Sequence, residues 1–359
     1  MRMTVLNVAY PFAAVGPDSI GGAEQILSLL DQQLVRAGHR SIVVACEGSI
    51  TAGTLIASPV VDGVLTDDLR HRIQRQHRRN IDWAIEKYSP DVIHMHGIDF
   101  YDYLPPDGPP VLVTLHLPPA WYPRGIFQIT RPRTYLHCVS ASQRRACPAN
   151  PLLLPDIPNG VPIDELTYRC TKHRYAITLG RICPEKNFHV ALDAGKHAGI
   201  PVLLGGQVFP YPAHLDYFNQ QILPRLDDHR RFIGPIGFAR KRRLLSGARC
   251  FLHPTLAPET SSLVAMESLA CGTPVIAFRS GALPEIIEHG VTGFLVNNER
   301  EMADAINAAG DLEPEACRQA ARQRFSLDAM IQKYFQAYDR LITIPPAAPL
   351  EWGHHAALL

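Results

Sequence analysis

A chain of 359 residues is too long for one ordinary domain of about 150 residues, and its length predicts two. Hydrophobic residues make up 46% and charged residues 19%, enough apolar material for two cores, which excludes global disorder. Lys+Arg is 35 against Asp+Glu 34, a formal net charge of +1, so binding to a polyanion by bulk charge is excluded while local basic patches stay open.

In chain order, residues 3–9 read as a buried strand that leads through a glycine-containing loop into a helix over 23–38. The helix places Ile26, Leu27, Leu30, Leu34 and Val35 on one face, and Gly38 suits its C-terminal end. A strand at 41–46 follows, then a helix at about 66–88 with Leu69, Ile73, Ala84, Ile85 and Tyr88 as its buried face. Strands are expected from Val92-Ile93, at 111–116, at 135–140 and over 152–160. The second half repeats the rhythm, with a strand at 176–180, a helix around 187–199, and further strands in PVLLGG, RRFIGPI, CFLHPT, TPVIAF and GFLV.

Strand–helix alternation with short links implies two doubly wound parallel sheets, joined near Pro158–Pro162. The expected division is an N-terminal domain at 1–160, a C-terminal domain at 161–325, an amphipathic helix at 326–344 and a loose tail at 345–359. Two such domains facing one another would bind a ligand at the carboxyl ends of their strands, in one cleft. The eight cysteines include no CxxC pair, which argues for reduced thiols rather than a zinc ribbon or a disulfide framework. The opening MRMTVLNVAY runs straight into a strand and predicts no signal peptide, and no apolar run is long enough for a transmembrane helix. The expected location is cytoplasmic.

Two stretches carry chemistry. Glu259 precedes a helix expected to open at about 261, and Glu267 lies about two turns inside it. The free N–H groups of 261–264 make an anion site there, and a carboxylate beside an anion site suits a ligand with hydroxyls next to phosphates. The competing reading makes Glu259 a first-turn charge and Glu267 a solvated helix residue. Arg181 and Lys186, five apart on the loop from a strand into a helix, suit a diphosphate; otherwise they are a surface pair.

The two-domain pattern, the run Gly180–Asn187, the run Pro258–Ala277 with its Glu-x7-Glu spacing, and SGALPEIIEHGVTGFLV at 280–296 together resemble the family-4 retaining glycosyltransferases of the GT-B fold. The resemblance covers 176–297, continues colinearly over 1–160, and includes the 324–342 helix, which in that family often crosses back towards the first domain.

The resemblance implies a catalytic set of Glu259, His116, Arg181 and Lys186. It assigns Arg181 and Lys186 to the donor diphosphate, Glu259 to the donor sugar and Glu267 to the ribose hydroxyls. Backbone groups around Ser261, Ser262, Leu263 and Val264 match the phosphate-binding helix start. Gly21-Gly22 match the first-domain glycine loop, and their spacing does not spell the dinucleotide fingerprint. His116 matches the first-domain histidine, and His96 is an acceptor-side candidate. One departure is Thr260-Ser261-Ser262, where the family commonly has Gly-Phe-Gly, which puts the donor sugar in question.

His94 and His96 share a strand face without a nearby third ligand, so no metal site is expected. The basic helix over Arg70–Arg79 suits a solvated face, or peripheral contact with anionic lipid; Arg240–Arg243 reads the same way. Neither has the aromatic interleaving of a nucleic-acid binder. The implied activity is transfer of a hexose-type sugar from a nucleoside diphosphate, UDP most commonly in the family, to an acceptor hydroxyl with retention and without a metal or other cofactor. The partners are then a nucleotide sugar and a sugar, lipid-linked sugar or small-metabolite acceptor. The alternative is a non-catalytic sugar-nucleotide-binding or scaffold subunit.

Overall fold

The computed structural model describes residues 2–60, 65–166 and 168–343. The tail expected at 345–359 and residue 344 of the expected last helix lie outside the described residues. The chain divides into two units: one of Met1–Val139, Arg144–Ile157 and the chain from Ile331, the other of Ser140–Gln143 and Pro158–Met330.

The first unit is built on β1 (Thr4–Val8), β2 (Arg40–Cys46), β3 (Thr54–Ser58), β4 (Val92–Met95), β5 (Val111–Leu115) and β6 (Thr134–Cys138), all parallel in the order β3-β2-β1-β4-β5-β6. β4 and β5 are buried along their whole length, which is why their sequences are apolar runs rather than alternations. β3 is an addition to the expected elements. It is a half-exposed edge strand, TLIAS, without an apolar run to announce it.

The segment 152–160, expected as a strand, instead makes one bridge to β6, between Leu136 and Leu153. Pro151, Pro155 and Pro158 remove the N–H donors that a ladder needs.

Two long helices cover this sheet, α1 (Gly22–Arg36) and α2 (Asp67–Tyr88). On α1, Ile26, Leu27, Leu30 and Leu34 are buried as the periodicity requires, but Val35 is 39% exposed. Asp31 is buried instead, because its carboxylate accepts the Ala52 N–H at 2.6 Å and the Gly53 N–H at 3.2 Å. α2 buries Ile73, Ile81 and Ala84 and also two polar residues, Gln74 and His77, while Leu69, Ile85 and Tyr88 are only partly covered. Gln74 donates to Asp99 at 2.7 Å, and His77 bridges Ser58 and the Ala9 carbonyl at 2.8 and 3.1 Å. A short helix α3 (Ala141–Arg145) follows β6.

The second unit repeats the topology with β7 (Ala176–Leu179), β8 (Val202–Gly205), β9 (Arg230–Phe232), β10 (Cys250–His253), β11 (Val275–Phe278) and β12 (Gly293–Val296), parallel in the order β12-β11-β10-β7-β8-β9. Its helices are α4 (Phe188–Ala198), α5 (Pro212–Tyr217), α6 (Phe238–Gly247), α7 (Leu263–Ala270), α8 (Leu283–Ile286), α9 (Glu299–Ala308) and α10 (Pro314–Arg324). Phe188, Leu192, Ile276, Met302 and Ile306 form its core between sheet and helices. In both sheets the first and fourth strands are neighbours at the point where the strand order reverses. Loops leaving their carboxyl ends there diverge and open a crevice.

The last helix, α11 (Leu327–Thr343), begins in the second unit, where Val161 bridges Ser326, and from Ile331 belongs to the first. There Tyr334 and Tyr338 are fully buried, and Arg133 donates to the Leu341 carbonyl at 3.0 Å. No described helix is long and apolar enough to cross a membrane.

The Tyr338 hydroxyl lies 2.7 Å from His94 Nδ1 inside the first core. Tyr338→Phe would leave a buried imidazole nitrogen without its partner. The expected loss is about 1–3 kcal/mol in urea unfolding; an unchanged midpoint would show that this contact does not anchor α11.

Candidate functional site

In the second unit the chemistry gathers on the loops leaving β7 and β10, the two strands at the reversal. After β7, Arg181 is exposed and Pro184–Lys186 form a 3-10 turn that ends at Asn187, whose φ of 56° is left-handed. After β10, the chain runs through Thr255 and Leu256 to Glu259. The two loops are stitched together, because the Glu185 carbonyl accepts the Leu256 N–H at 2.8 Å and the Thr255 hydroxyl at 3.2 Å.

Across this seam Lys186 and Glu259 form a short ion pair, and His253 Nε2 lies 3.5 Å from the same carboxylate oxygen. Burial opposes ionisation of Glu259, but the Lys186 charge and hydrogen bonds from His253 and Lys186 outweigh it and hold the carboxyl well below the usual range. His253 is itself pushed down by burial, partly offset by Glu259. The Glu259 backbone is clamped from the other side, where its carbonyl accepts the Ala282 N–H at 2.7 Å. Gly281, at φ 54°, lies so close to the Glu259 backbone that any Cβ would collide with it.

α7 starts at Leu263 with Ser262 as its N-cap, two residues later than expected. The unbonded helix N–H groups are therefore those of Leu263, Val264 and Ala265, while Ser261 lies ahead of the helix. Glu267 sits one turn inside rather than two and is buried, only 3% exposed, which removes the solvated reading. Its Oε1 accepts from Lys241 Nζ at 2.6 Å. Lys241 belongs to the run Arg240–Arg243 on α6 that the sequence presented as a solvated basic face, so one member of that run is recruited inward. Glu267 Oε2, Ser261 Oγ and His253 Nδ1 are buried without a hydrogen-bond partner among the described residues. Three such atoms around one helix start call for an explanation.

Cys183 and Glu185 on the loop after β7 also lie beside His214 of α5, with ligand atoms within 4.8 Å of one another. Neither Lys241, His253 nor this trio carried a usable sequence signal, since each is defined by through-space contacts between segments well separated in the chain. His253 alone had a positional clue, at the end of the CFLHPT strand.

In the first unit, Gly21 is the N-cap of α1 and Gly22 its first residue. A Cβ on Gly21 would strike the Glu24 carboxylate. His94, His96 and His137 are buried, and His116 is close to His96, with Nε2 3.0 Å from His96 Nδ1. His137 Nδ1 donates to the Cys138 carbonyl at 3.0 Å, so its Nε2 accepts from the Thr114 hydroxyl at 2.6 Å. Thr114 must then accept from His94 Nε2–H at 2.6 Å, and His94 Nδ1 accepts from Tyr338. This is a neutral hydrogen-bond chain running in one direction, and His94 is packed in it.

On α2, Arg78 pairs with Asp82 at 2.9 Å and Arg70 lies over the Phe12 ring, while Arg72, Arg75 and Arg79 face outward. Glu285 lies on α8, and its carbonyl accepts from Arg324.

Residues 173–310 match the family described as glycosyl transferases group 1, and residues 20–165 match glycosyltransferase family 4. Curated relatives include the D-inositol 3-phosphate glycosyltransferase of Mycolicibacterium smegmatis, 31% identical over 46% of this chain and 41% of the relative. The protein of the same name from Mycobacterium tuberculosis is 30% identical over 50% of this chain and 38% of the relative. The match thus spans less than half the length of these relatives.

Among solved structures, sucrose-phosphate synthase from Thermosynechococcus elongatus has a TM-score of 0.77 at 19% identity, covering 94% of this chain and 99% of that one. AviGT4, a glycosyltransferase of avilamycin A biosynthesis, has a TM-score of 0.71 at 21% identity, covering 95% and 98%. Anabaena Alr3699/HepE, in complex with UDP and glucose, has a TM-score of 0.72 at 18% identity, covering 94% and 100%. These likenesses show the two-domain GT-B fold.

Burial holds His77 and His137 near 4 and His116 near 3, and keeps His94 and His96 well below their ordinary value. The unfolded chain therefore takes up protons first as pH falls. Stability is full above about pH 6.5 and is lost progressively towards pH 4, by on the order of 1 kcal/mol per histidine at about pH 5.5. Urea unfolding across this range checks it. His77→Gln should reduce the pH slope, and a stability independent of pH would contradict the buried neutral assignment.

Proposed function

Since the chain belongs to the family-4 type glycosyltransferases, we propose that it moves a hexose-type sugar from a nucleoside diphosphate, UDP first among the candidates, to an acceptor hydroxyl with retention of anomeric configuration. The observation that carries this reading is Glu267. Lys241 holds one of its carboxylate oxygens, and the other is buried and unpaired among the described residues, one turn inside a helix whose N-terminus faces the loops, which suits a ribose hydroxyl next to phosphates.

The rest follows from the charges on the two loops. Breaking the bond between the anomeric carbon and the diphosphate builds negative charge on the leaving group. Arg181, Lys186 and the N–H groups of Leu263, Val264 and Ala265 supply fixed positive charge and dipoles to receive it, so the transfer step needs no metal ion. Lys186 has three donors, and its pairing with Glu259 uses one, leaving two for phosphate oxygens. Glu259, kept ionised, faces the positive charge that develops on the sugar. Glu267 is held by Lys241 and assigned to the ribose, so we favour transfer on the same face over a covalent intermediate. The acceptor oxygen bonds to the anomeric carbon as the phosphate departs, and the acceptor proton passes to a phosphate oxygen. In the first unit this reading gives Gly21 and Gly22 to the donor, His116 a catalytic role, and His96 to the acceptor side.

UDP is the first base to test because HepE was crystallised with UDP-glucose, and D-inositol 3-phosphate belongs in the acceptor screen because the curated relatives carry its name.

Thermal unfolding with UDP, GDP, ADP, dTDP and NAD tests the assignment. Saturation at 100 times the dissociation constant stabilises by roughly 2.7 kcal/mol. One nucleoside diphosphate should raise the midpoint, equally with and without Mg2+, and Glu267→Gln should weaken that shift. Glu259→Gln should keep it while turnover falls by roughly a hundredfold or more. Stabilisation by NAD alone, or a product anomer opposite to the donor on NMR, would overturn the proposal. Binding without turnover against any acceptor would favour the scaffold alternative.

A further inference from the structure

We propose that Cys183, Glu185 and His214 form a divalent-metal site selective for zinc-like ions, which clamps the loop that carries Arg181 and Lys186. The three ligand atoms lie within 4.8 Å of one another. Ligands around a tetrahedral ion at about 2.0–2.3 Å stand roughly 3.3–3.8 Å apart, so rotamer adjustments of about 1 Å close the set.

The backbone already positions them. Cys183 precedes the turn Pro184–Lys186, whose ends are tied by the Lys186 N–H on the Cys183 carbonyl at 3.2 Å, and the Glu185 carbonyl is held by Leu256 and Thr255. His214 comes from α5, where its ring packs edge-on against Tyr211 at 5.1 Å and Phe209 at 6.4 Å. His214 Nδ1 is buried without a hydrogen-bond partner among the described residues. The Cys183 thiol and Glu185 carboxylate interact with each other, and the His214 imidazole beside them completes a sulfur, oxygen and nitrogen donor set.

The chemistry of the set selects the ion. A thiolate excludes Mg2+ and Ca2+, which take oxygen ligands, whereas sulfur, nitrogen and oxygen together suit Zn2+ and its neighbours. The metal is bound by the thiolate, so the Cys183 proton passes to solvent as the sulfur–metal bond forms. Thiolate and carboxylate together neutralise a divalent ion. The nearby Arg181 charge remains available to an anion, and a fourth coordination position stays open.

The site takes no part in the transfer step, and its test does not depend on the glycosyltransferase reading. Protein stripped with a chelator is titrated with Co2+, which reports thiolate ligation by a charge-transfer band in the near ultraviolet and tetrahedral geometry by intense visible bands. One Co2+ per chain, displaced by one Zn2+, is expected. Cys183→Ser should lose the charge-transfer band. His214→Gln, on a partly exposed surface helix and so safe for folding, should weaken binding by more than about tenfold. Cys170→Ser, which removes an exposed thiol elsewhere, should leave the spectrum intact. A spectrum without thiolate character, a band that survives Cys183→Ser, or His214→Gln binding as tightly as the parent would overturn the proposal. Nucleotide stabilisation is measured separately, so either result can fail alone.

Discussion

The arrangement of the second unit depends on the ion pair between Lys186 and Glu259. A carboxylate taken out of water is costly, and one that stays ionised when nearly buried needs partners fixed before it arrives. Here one partner comes from the loop after β7 and another, His253, from the end of β10, so the pair forms only when these strands are in register. The Glu185 carbonyl, shared between Leu256 and Thr255, supplies the same constraint through the backbone. Gly281 adds a third by letting a neighbouring turn press against the Glu259 main chain. A buried pair of this kind adds little net stability, but it fixes where a carboxylate and an ammonium stand relative to one another.

The first unit solves the same topology with the opposite electrostatics. Its central strands carry histidines rather than charged pairs, and burial keeps them neutral. Because His137 must donate to a carbonyl, every donor along Thr114, His94 and Tyr338 is fixed in turn. That directional chain ties α11 to β4, β5 and β6 without any charge. The cost is sensitivity to acid, since each imidazole gains a proton more easily in the unfolded chain.

This contrast also explains what could be read from the sequence. The central parallel strands were legible because burial on both faces forces continuous apolar runs, and the long helices because their apolar stripe repeats every turn. β3 was not, because an edge strand has no such run. Residues 152–160 misled because their apolar side chains suit a strand while their prolines cannot donate to one. Val35 shows a limit of another kind: the stripe includes it, but Asp31 takes the buried place by capping the backbone at Ala52 and Gly53. In the candidate site, Arg181, Lys186, Glu259 and Glu267 stood out by spacing on short loops. Lys241 did not, because its role comes from packing α6 beside α7, and in sequence it is one cation among four.

The departure at Thr260-Ser261-Ser262 gains physical meaning from the same geometry. Ser262 caps α7 by position, yet its hydroxyl lies 3.3 Å from His253 Nε2 rather than on a helix N–H. It therefore joins the group that surrounds Glu259. Ser261 leaves a buried hydroxyl unpaired, at a cost of about 1–3 kcal/mol. Glycine at these positions would carry neither burden. A chain that keeps an uncompensated hydroxyl, an unpaired carboxylate oxygen and an unpaired imidazole nitrogen around one helix start concentrates its local strain where its charges also converge. In the first core, Asp31, Gln74 and His77 are buried with partners, while Asn7 Oδ1, Thr178 Oγ1 and Arg318 Nε are buried without one among the described residues. What sets Glu267, Ser261 and His253 apart from those is that they gather around the start of α7, on loops that the Glu185 carbonyl stitches together.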